Sequence, residues 1–212
     1  MDFRTCIERL TKELQKELPG SRAHQIMMPL GRQIPNPETF DSRNVKNSSV
    51  VILLYEIQNQ IYSVLIQRHI YNGVHSGQIG LPGGKTEASD TCYTDTALRE
   101  CQEEVGIAPH QVTVIGQLSP IYIPPSHFMV YPVLGFLKSP PTFMKNNYEV
   151  KKLITYKINL LEKRNIKTKV FHGHNYSIQA PYFDINGQAV WGATAMILSE
   201  FMEVLKKIKA NS

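Results

Sequence analysis

A glycine-rich turn that leads into an acidic helix is the feature that most constrains the fold of this chain. Residues 83–90 read GGKTEASD, and residues 97–107 read ALRECQEEVGI. The second segment spaces Glu100, Glu103 and Glu104 by three and four residues, so a helix places them on one face. Like charges at this spacing destabilise a helix unless they are solvated or hold a cation. Because the preceding glycines let other groups approach the start of the helix closely, we favour a cation site.

The hydrophobic pattern around this segment predicts one domain that mixes helices and strands, and 212 residues are enough for a single core. We divide the chain into an N-terminal helix and extension, residues 1–48, packed on a main domain, residues 49–212. The three-to-four-residue spacing of apolar side chains predicts helices over residues 2–18 and about 194–209. Residues 19–48 beyond the first helix read as loop. Strands are predicted at 49–57, 61–67, 112–118, 128–137 and 150–158, with short pairs at 170–178 and 182–191.

Three local signals refine these boundaries. The acidic helix is predicted to begin between Ser89 and Thr94, both of which are candidate N-caps, and Gly106 suits its left-handed C-terminal end. Pro132 lies inside a predicted strand and indicates an edge strand or a bulge. Asn186 and Gly187 form the strongest hairpin signal in the chain.

Composition and charge narrow the range of partners. The net charge of +5 and the isoelectric point of about 9.0 suit anionic partners such as phosphate esters. The basic residues are dispersed, which argues against sequence-specific binding of nucleic acid. No apolar run approaches the ~20 residues of a membrane span, and the charged N-terminus lacks a signal-peptide core. We therefore predict a cytoplasmic protein, with Cys6, Cys92 and Cys101 as reduced thiols.

The acidic segment resembles the signature box of the Nudix hydrolases, G-x5-E-x7-R-E-U-x-E-E-x-G-U, where U is a bulky hydrophobic residue. Asp90 stands at the first glutamate, Glu87 is a second candidate for that carboxylate, and one extra residue precedes the arginine. The resemblance implies an α+β fold, an α/β/α sandwich around a mixed, partly antiparallel sheet. The matching residues are Gly84, Arg99, Glu100, Glu103, Glu104, Gly106 and Ile107.

This resemblance implies metal-dependent hydrolysis of a pyrophosphate bond. Hard carboxylate oxygens suit Mg²⁺ or Mn²⁺, so Glu100, Glu103 and Glu104 are the predicted ligands. Arg99 is expected to pair with these carboxylates and to orient them. Glu149 is a candidate general base, and Glu104 is the alternative.

An upstream segment is similar to the signature of the coenzyme A pyrophosphatase branch, L-L-T-x-R-[SA]-x3-R-x3-G-x3-F-P-G-G. Gly73 stands where that pattern has its second arginine, and the run WGATA at 191–195 also resembles this branch. Hydrolysis of coenzyme A or acyl-coenzyme A to 3′,5′-ADP and 4′-phosphopantetheine, or its acyl form, is the implied reaction. We predict phosphate contacts from Arg68, Lys85 and the turn formed by Gly83 and Gly84. The matching residues are Leu65, Arg68, Gly77, Pro82, Gly83 and Gly84.

Two alternatives stay open. The glycine at position 73 keeps open a pyrophosphohydrolase for ADP-ribose, NADH or a nucleoside triphosphate. A non-catalytic Nudix module that binds a nucleotide is the other alternative, although the complete set of glutamates argues for an enzyme. The predicted partner is in each case a small nucleotide, and a homodimer is compatible with the resemblance.

Overall fold

The computed structural model describes residues 1–32, 44–69, 77–162, 165–172 and 177–210. The α-helices of this described part are α1 (Phe3–Glu13), α2 (Ser21–Ile26), α3 (Tyr93–Val105) and α4 (Gly192–Ala210). The strands are β1 (Lys46–Ile57), β2 (Gln60–Arg68), β3 (Ile79–Gly80), β4 (Gly83–Lys85), β5 (Val112–Gln117), β6 (Ile121–Ile123), β7 (Phe128–Leu137), β8 (Val150–Lys157), β9 (Ile166–His172), β10 (Ser177–Ile185) and β11 (Gln188–Trp191).

The centre of the molecule is a mixed sheet of eight strands. Its main order is β3-β2-β1-β7-β5, while β4 pairs with β1, β6 with β7, and β8 with β2. The β1–β7 pair is parallel and the other pairs are antiparallel. Strands β9, β10 and β11 form a separate antiparallel sheet.

Strand β1 is buried on both faces, which explains its nearly continuous apolar sequence. Ile52 and Leu54 belong to the core cluster that also contains residues of α1 and α4, as well as of β10 and β11. Val51 and Leu53 belong to the cluster beneath α3. Helices therefore cover both faces of the sheet, and the predicted α+β sandwich is confirmed.

The first residues after α1 differ from the predicted loop. Residues 21–26 form the short helix α2, and α1 ends at Glu13, earlier than predicted. A helix of six residues has no clear periodic signal, so tertiary contacts must select it. The Glu200 carboxylate on α4 binds the Gly20 N–H at 2.9 Å and the His24 ring at 3.1 Å. The division of the chain at residue 48 stays a prediction.

The sequence located the C-terminal end of α3 more closely than its start. Its N-cap is Cys92, in an extended conformation, and its first residue is Tyr93. The helix therefore begins between Ser89 and Thr94 as predicted, although neither of these two residues is its N-cap. Residues 87–90 instead form a turn of their own, in which the Asp90 N–H bonds to the Glu87 carbonyl at 3.1 Å. The prediction for the C-terminal end is confirmed, since Gly106 has φ 76° and its N–H bonds to the Gln102 carbonyl at 3.0 Å.

Pro132 is not on an edge strand, because β7 lies between β1 and β5. Its carbonyl accepts the Leu118 N–H at 2.9 Å, just where β5 has ended at Gln117 and before β6 begins. The N–H and carbonyl of a strand residue point the same way, so the missing N–H of Pro132 faces this break in pairing. An interruption in the neighbouring strands thus accommodates an interior proline.

Other predictions of local structure are confirmed or extended. The turn at Asn186 and Gly187 has positive φ at both residues and joins β10 to β11. The predicted short pair near residue 170 is longer than expected, since β9 pairs with β10 from Ile166 to His172. Cys6, Cys92 and Cys101 are free thiols, and among the described residues no helix is long and apolar enough to cross a membrane. Gly73 lies outside the described residues.

Candidate active site

Arg99 is the centre of the polar network on α3. Its guanidinium binds both carboxylate oxygens of Asp90, with Nε···Oδ1 at 3.1 Å and Nη2···Oδ2 at 3.0 Å. Nη1 donates to Glu100 Oε1 at 2.9 Å and approaches Glu103 Oε2 at 3.3 Å. Nη2 also donates to the Lys85 carbonyl at 3.0 Å. One side chain therefore joins the glycine turn, the following loop and two of the three glutamates.

Asp90 is the anchor that holds Arg99 in place. It also accepts the Thr96 hydroxyl at 2.9 Å and the Glu87 N–H at 2.9 Å. The hydrogen bonds from Arg99 hold the pKa of the Asp90 carboxyl well below its usual range. Glu87 is exposed, and its backbone rather than its side chain takes part.

The absence of a side chain at Gly84 makes room for Glu100. A Cβ atom on Gly84 would overlap the carboxyl group of Glu100, at 2.5 Å from Oε2. Strand β4 pairs with β1 through Ser49 and Gly84, so the backbone beneath Glu100 is held by the sheet. Burial raises the pKa of the Glu100 carboxyl, and its ion pair with Arg99 opposes that rise.

Glu104 is the buried member of the acidic set. Its side chain is 1% exposed, and its Oε2 accepts the Gly83 N–H at 2.8 Å. Arg68 Nη2 lies 3.3 Å from Glu104 Oε1 and donates to the Gly83 carbonyl at 2.9 Å. Burial raises the pKa of Glu104 to about 7, although Arg68 and the Gly83 N–H act in the opposite direction.

The remaining predicted site residues are more exposed. Glu103 has a side chain that is 48% exposed, and Lys85 and Glu149 are also exposed. Burial is the main cause of the raised pKa of Glu100 and of Glu104, and the charge of Glu149 makes a smaller contribution in the same direction. For Lys85, it is the carbonyl that joins the network, through Arg99.

These side chains fit a divalent cation that keeps part of its hydration. Among the described residues, no three acidic, histidine or cysteine side chains converge closely enough to enclose a metal by themselves. Mg²⁺ usually takes one or two carboxylates and completes its shell with water and substrate phosphates. Burial and mutual repulsion disfavour the charged forms of Glu100 and Glu104, and a cation would relieve both effects.

Comparison with known proteins decides the family. Residues 45–157 match the NUDIX domain model, which is more than half of the 212-residue chain. The chain belongs to the Nudix family. The Nudix hydrolase NudL of Yersinia enterocolitica is 32% identical over 171 residues, covering 78% of this chain and 84% of that protein. Nudix hydrolase 15, mitochondrial, of Arabidopsis thaliana is 32% identical over 163 residues, covering 72% of this chain and 56% of that protein.

A solved structure supports the same fold. The MutT/nudix family protein from Enterococcus faecalis has a TM-score of 0.51 and 17% identity, covering 94% of this chain and 73% of that chain. Nudix hydrolases act on pyrophosphate bonds of nucleotide derivatives and generally need divalent metal ions. This Nudix chain is accordingly a pyrophosphohydrolase.

Sequence reasoning missed the contact between Arg68 and Glu104. The two residues stand in separate sequence patterns, and the contact depends on the way β2 and α3 meet at the Gly83 backbone. The matched spacing of both patterns around Gly83 was the only available signal. The role of Thr96 in holding Asp90 was also missed, because a threonine inside a helix has no distinctive signature.

Proposed function

We propose that this Nudix enzyme hydrolyses the pyrophosphate bond of coenzyme A or acyl-coenzyme A. The products would be 3′,5′-ADP and 4′-phosphopantetheine or its acyl form. The observation that carries the proposal is the contact of Arg68, from the coenzyme A-like segment, with both Gly83 and Glu104. The segment that resembles the coenzyme A branch and the acidic helix therefore meet at one point.

The main barrier to this reaction is charge. Two linked phosphates repel an attacking water, and negative charge grows on the leaving oxygen. A divalent cation, Mg²⁺ or Mn²⁺, would neutralise this charge when bound. We assign Glu100, Glu103 and Glu104 as its ligands, on the basis of their oxygen donors and their shared helix.

The other residues would position and activate the reactants. Arg99 keeps Glu100 and Glu103 at fixed positions, because Asp90 holds the opposite side of the same guanidinium. Glu149 is our candidate to take a proton from the attacking water, with Glu104 as the alternative. Removal of Glu149 alone distinguishes them, because a true base would be required for turnover but not for metal binding.

We assign the phosphate contacts to basic side chains that are exposed to solvent beside the acidic helix. The Arg68 side chain is 32% exposed and Lys85 is exposed, so both can reach solvent-borne phosphate. The Gly83 N–H is already donated to Glu104, so we expect the glycine turn to act by allowing close approach of the substrate. The Arg68 guanidinium would then contact the substrate while keeping its bond to the Gly83 carbonyl.

Turnover of a substrate panel tests the proposal. We expect hydrolysis of coenzyme A and acetyl-coenzyme A with Mg²⁺ or Mn²⁺ to exceed that of ADP-ribose, NADH and nucleoside triphosphates. Preference for one of the latter would support the alternative substrate class that Gly73 keeps open. Absence of turnover on every compound would favour a non-catalytic nucleotide-binding module.

Substitution of the glutamates tests the site separately. Glu103→Gln and Glu104→Gln should each lower kcat/KM by about 100-fold or more, because each removes a charged oxygen ligand. Glu203→Gln on α4 is the matched control, since Glu203 pairs with Lys206 and belongs to no part of the site. Near-normal hydrolysis by both site variants, with unchanged metal dependence, would contradict the assignment. A cytoplasmic location and a homodimer stay predictions, the latter testable by light scattering.

A further inference from the structure

We propose that the outer face of the β9-β10-β11 sheet binds the 3′-phosphoadenosine end of the substrate. We call this surface the aromatic platform and define it as Lys169, Phe171, Tyr182 and Trp191. The inference rests on the proposed function, because it names the part of coenzyme A that the platform would hold. It adds a binding surface that lies outside the acidic helix and its arginines.

Strand register places the four side chains on one face. Tyr182 pairs directly with Trp191, while Lys169 and Phe171 pair with Ala180 and Ile178. Because side chains alternate along a strand, residues 178, 180 and 182 share a face, and their partners share it too. The rings of Phe171 and Trp191 stack at 4.2 Å, and Tyr182 meets Phe171 edge-on at 6.0 Å.

This cluster is not part of the hydrophobic core. The opposite face of the same sheet supplies Phe183, Ile185 and Val190 to the core cluster, and all three are fully buried. The three platform rings remain only partly buried, and the neighbouring strand β9 is exposed along most of its length. Such a partly exposed group of rings is a suitable surface for stacking another flat ring.

The platform also has a positive charge available for an anion. Lys169 Nζ lies 4.8 Å from the centre of the Phe171 ring and 5.1 Å from that of Tyr182. Within the part of the chain that the structure describes, Lys169 has no ion-pair partner, whereas nearby Lys167 is paired with Asp184 at 2.6 Å. Because Asp184 is already paired with Lys167, a phosphate beside the rings would give Lys169 an ion-pair partner of its own.

The platform is joined to the candidate active site through β3. Strand β11 packs against β3, and the Thr194 hydroxyl donates to the Ile79 carbonyl at 3.2 Å. Strand β3 in turn pairs with β2 at Ile66 and Gln67, directly before Arg68. A substrate whose diphosphate lies near Arg68 could therefore extend towards Trp191 along this edge.

The chemistry of the platform selects among nucleotides. A purine ring matches the aromatic side chains, and a phosphate beyond the diphosphate matches Lys169. Coenzyme A and its product 3′,5′-ADP carry this additional 3′-phosphate, whereas ADP-ribose and 5′-AMP do not. The platform would thus contribute to the choice between the two substrate classes.

Trp191 is the single tryptophan of the chain and reports directly on the platform. The probe is 3′,5′-ADP, which has no phosphoanhydride and can be titrated into the wild-type enzyme without turnover. We expect it to quench Trp191 fluorescence with a Kd at least about tenfold below that of 5′-AMP, because of the added phosphate contact. Unchanged fluorescence, or equal affinity for 5′-AMP, would overturn the proposal.

A pair of lysine variants distinguishes a specific role of Lys169 from a general effect of the protein's positive charge. Lys169→Met should weaken 3′,5′-ADP binding by about tenfold in calorimetry, with the folded state checked by circular dichroism. Lys157→Met is the control, since Lys157 is also an exposed strand lysine that lies over a tyrosine ring, Tyr62, at 5.9 Å. Equal affinities for the two variants would overturn the role of Lys169.

The substrate panel distinguishes this inference from the proposed function. Turnover of coenzyme A without any effect of 3′,5′-ADP on Trp191 would reject the platform and keep the enzyme assignment. Quenching by 3′,5′-ADP without turnover of coenzyme A would support the platform and reject the substrate assignment.

Discussion

At the scale of single residues, the site depends on Arg99 having a carboxylate on each side. Asp90 is one carbon shorter than the glutamate of the family pattern, yet it binds the guanidinium through two oxygens. The turn at residues 87–90 brings its backbone close enough for this contact. The sequence alone could not decide whether Glu87 or Asp90 supplies the carboxylate that binds Arg99, because the choice depends on the backbone path of that turn.

A methyl group at Gly84 should strongly lower activity and leave the protein folded. In Gly84→Ala the new Cβ would overlap the Glu100 carboxyl group, which is the far end of a side chain and can rotate away at the expense of its hydrogen bond with Arg99. We expect the displaced carboxylate to lower kcat/KM by about 100-fold, with little change in the urea midpoint. Gly80→Ala is the control, since among the described atoms its Cβ would meet only the Thr194 hydroxyl, at 3.8 Å. Equal activity of the two variants would contradict this role of Gly84.

At the scale of secondary-structure elements, the C-terminal end of helix α3 is specified more strongly by its residues than the N-terminal end is. Within the described parts of the chain, the side chain of its N-cap makes no capping hydrogen bond, and its C-terminal end depends on the left-handed conformation of Gly106. The sequence predicted the glycine end correctly because few residues tolerate that conformation. The start was predicted only to within a few residues, and its cap was not identified, because several polar residues precede the helix and compete as caps.

Alanine at Gly106 should destabilise the protein more than alanine at another left-handed glycine. Gly187 has φ 77°, and no described atom lies within 4 Å of the methyl group that alanine would add there. Gly187→Ala should therefore cost about 1 kcal/mol from backbone strain alone. At Gly106 the Cβ would also lie 2.8 Å from the Met144 carbonyl oxygen, so we expect a loss of about 2–3 kcal/mol. Urea unfolding of both variants measures the difference, and equal losses would show that the Met144 contact is unimportant.

At the scale of the whole molecule, a buried carboxylate joins segments that are distant in the sequence. Glu200 on α4 is fully buried and accepts hydrogen bonds from Gly20, His24 and Ser119. Burial raises the pKa of Glu200, but these hydrogen bonds outweigh it, and the net shift is downward. The network holds α2 against α4 and against the segment that follows β5.

The downward pKa shift of Glu200 predicts how stability should change with pH. Its contribution is complete above the ordinary pKa of 4.5 and is lost as the pH falls towards the lower pKa of the folded state. At pH 7, Glu200→Gln should lower the free energy of unfolding by about 2–4 kcal/mol, because the amide cannot accept all of these bonds. The difference between wild type and variant, measured by urea unfolding, should narrow below pH 4.5. A constant difference through this acidic range would contradict this account.

The sequence predicted most of the architecture and part of the site. Long strands such as β1 and β7 were found because their apolar runs are strong local signals. Helix α2 was missed because its conformation depends on Glu200, which is 180 residues from Gly20 in the chain. The ion pair between Arg68 and Glu104 was missed for the same reason, since no local pattern records which segments will meet.

The Glu200 network also affects the order in which parts of the chain fold during translation on the ribosome. The residues around Gly20 and His24 emerge early, whereas their buried partner is synthesised only at residue 200. Folding of α2 must therefore wait until almost the entire described chain has been translated. Until then the nascent N-terminal segment lacks its docking surface, so stalled chains that end before α4 should remain sensitive to protease around α2.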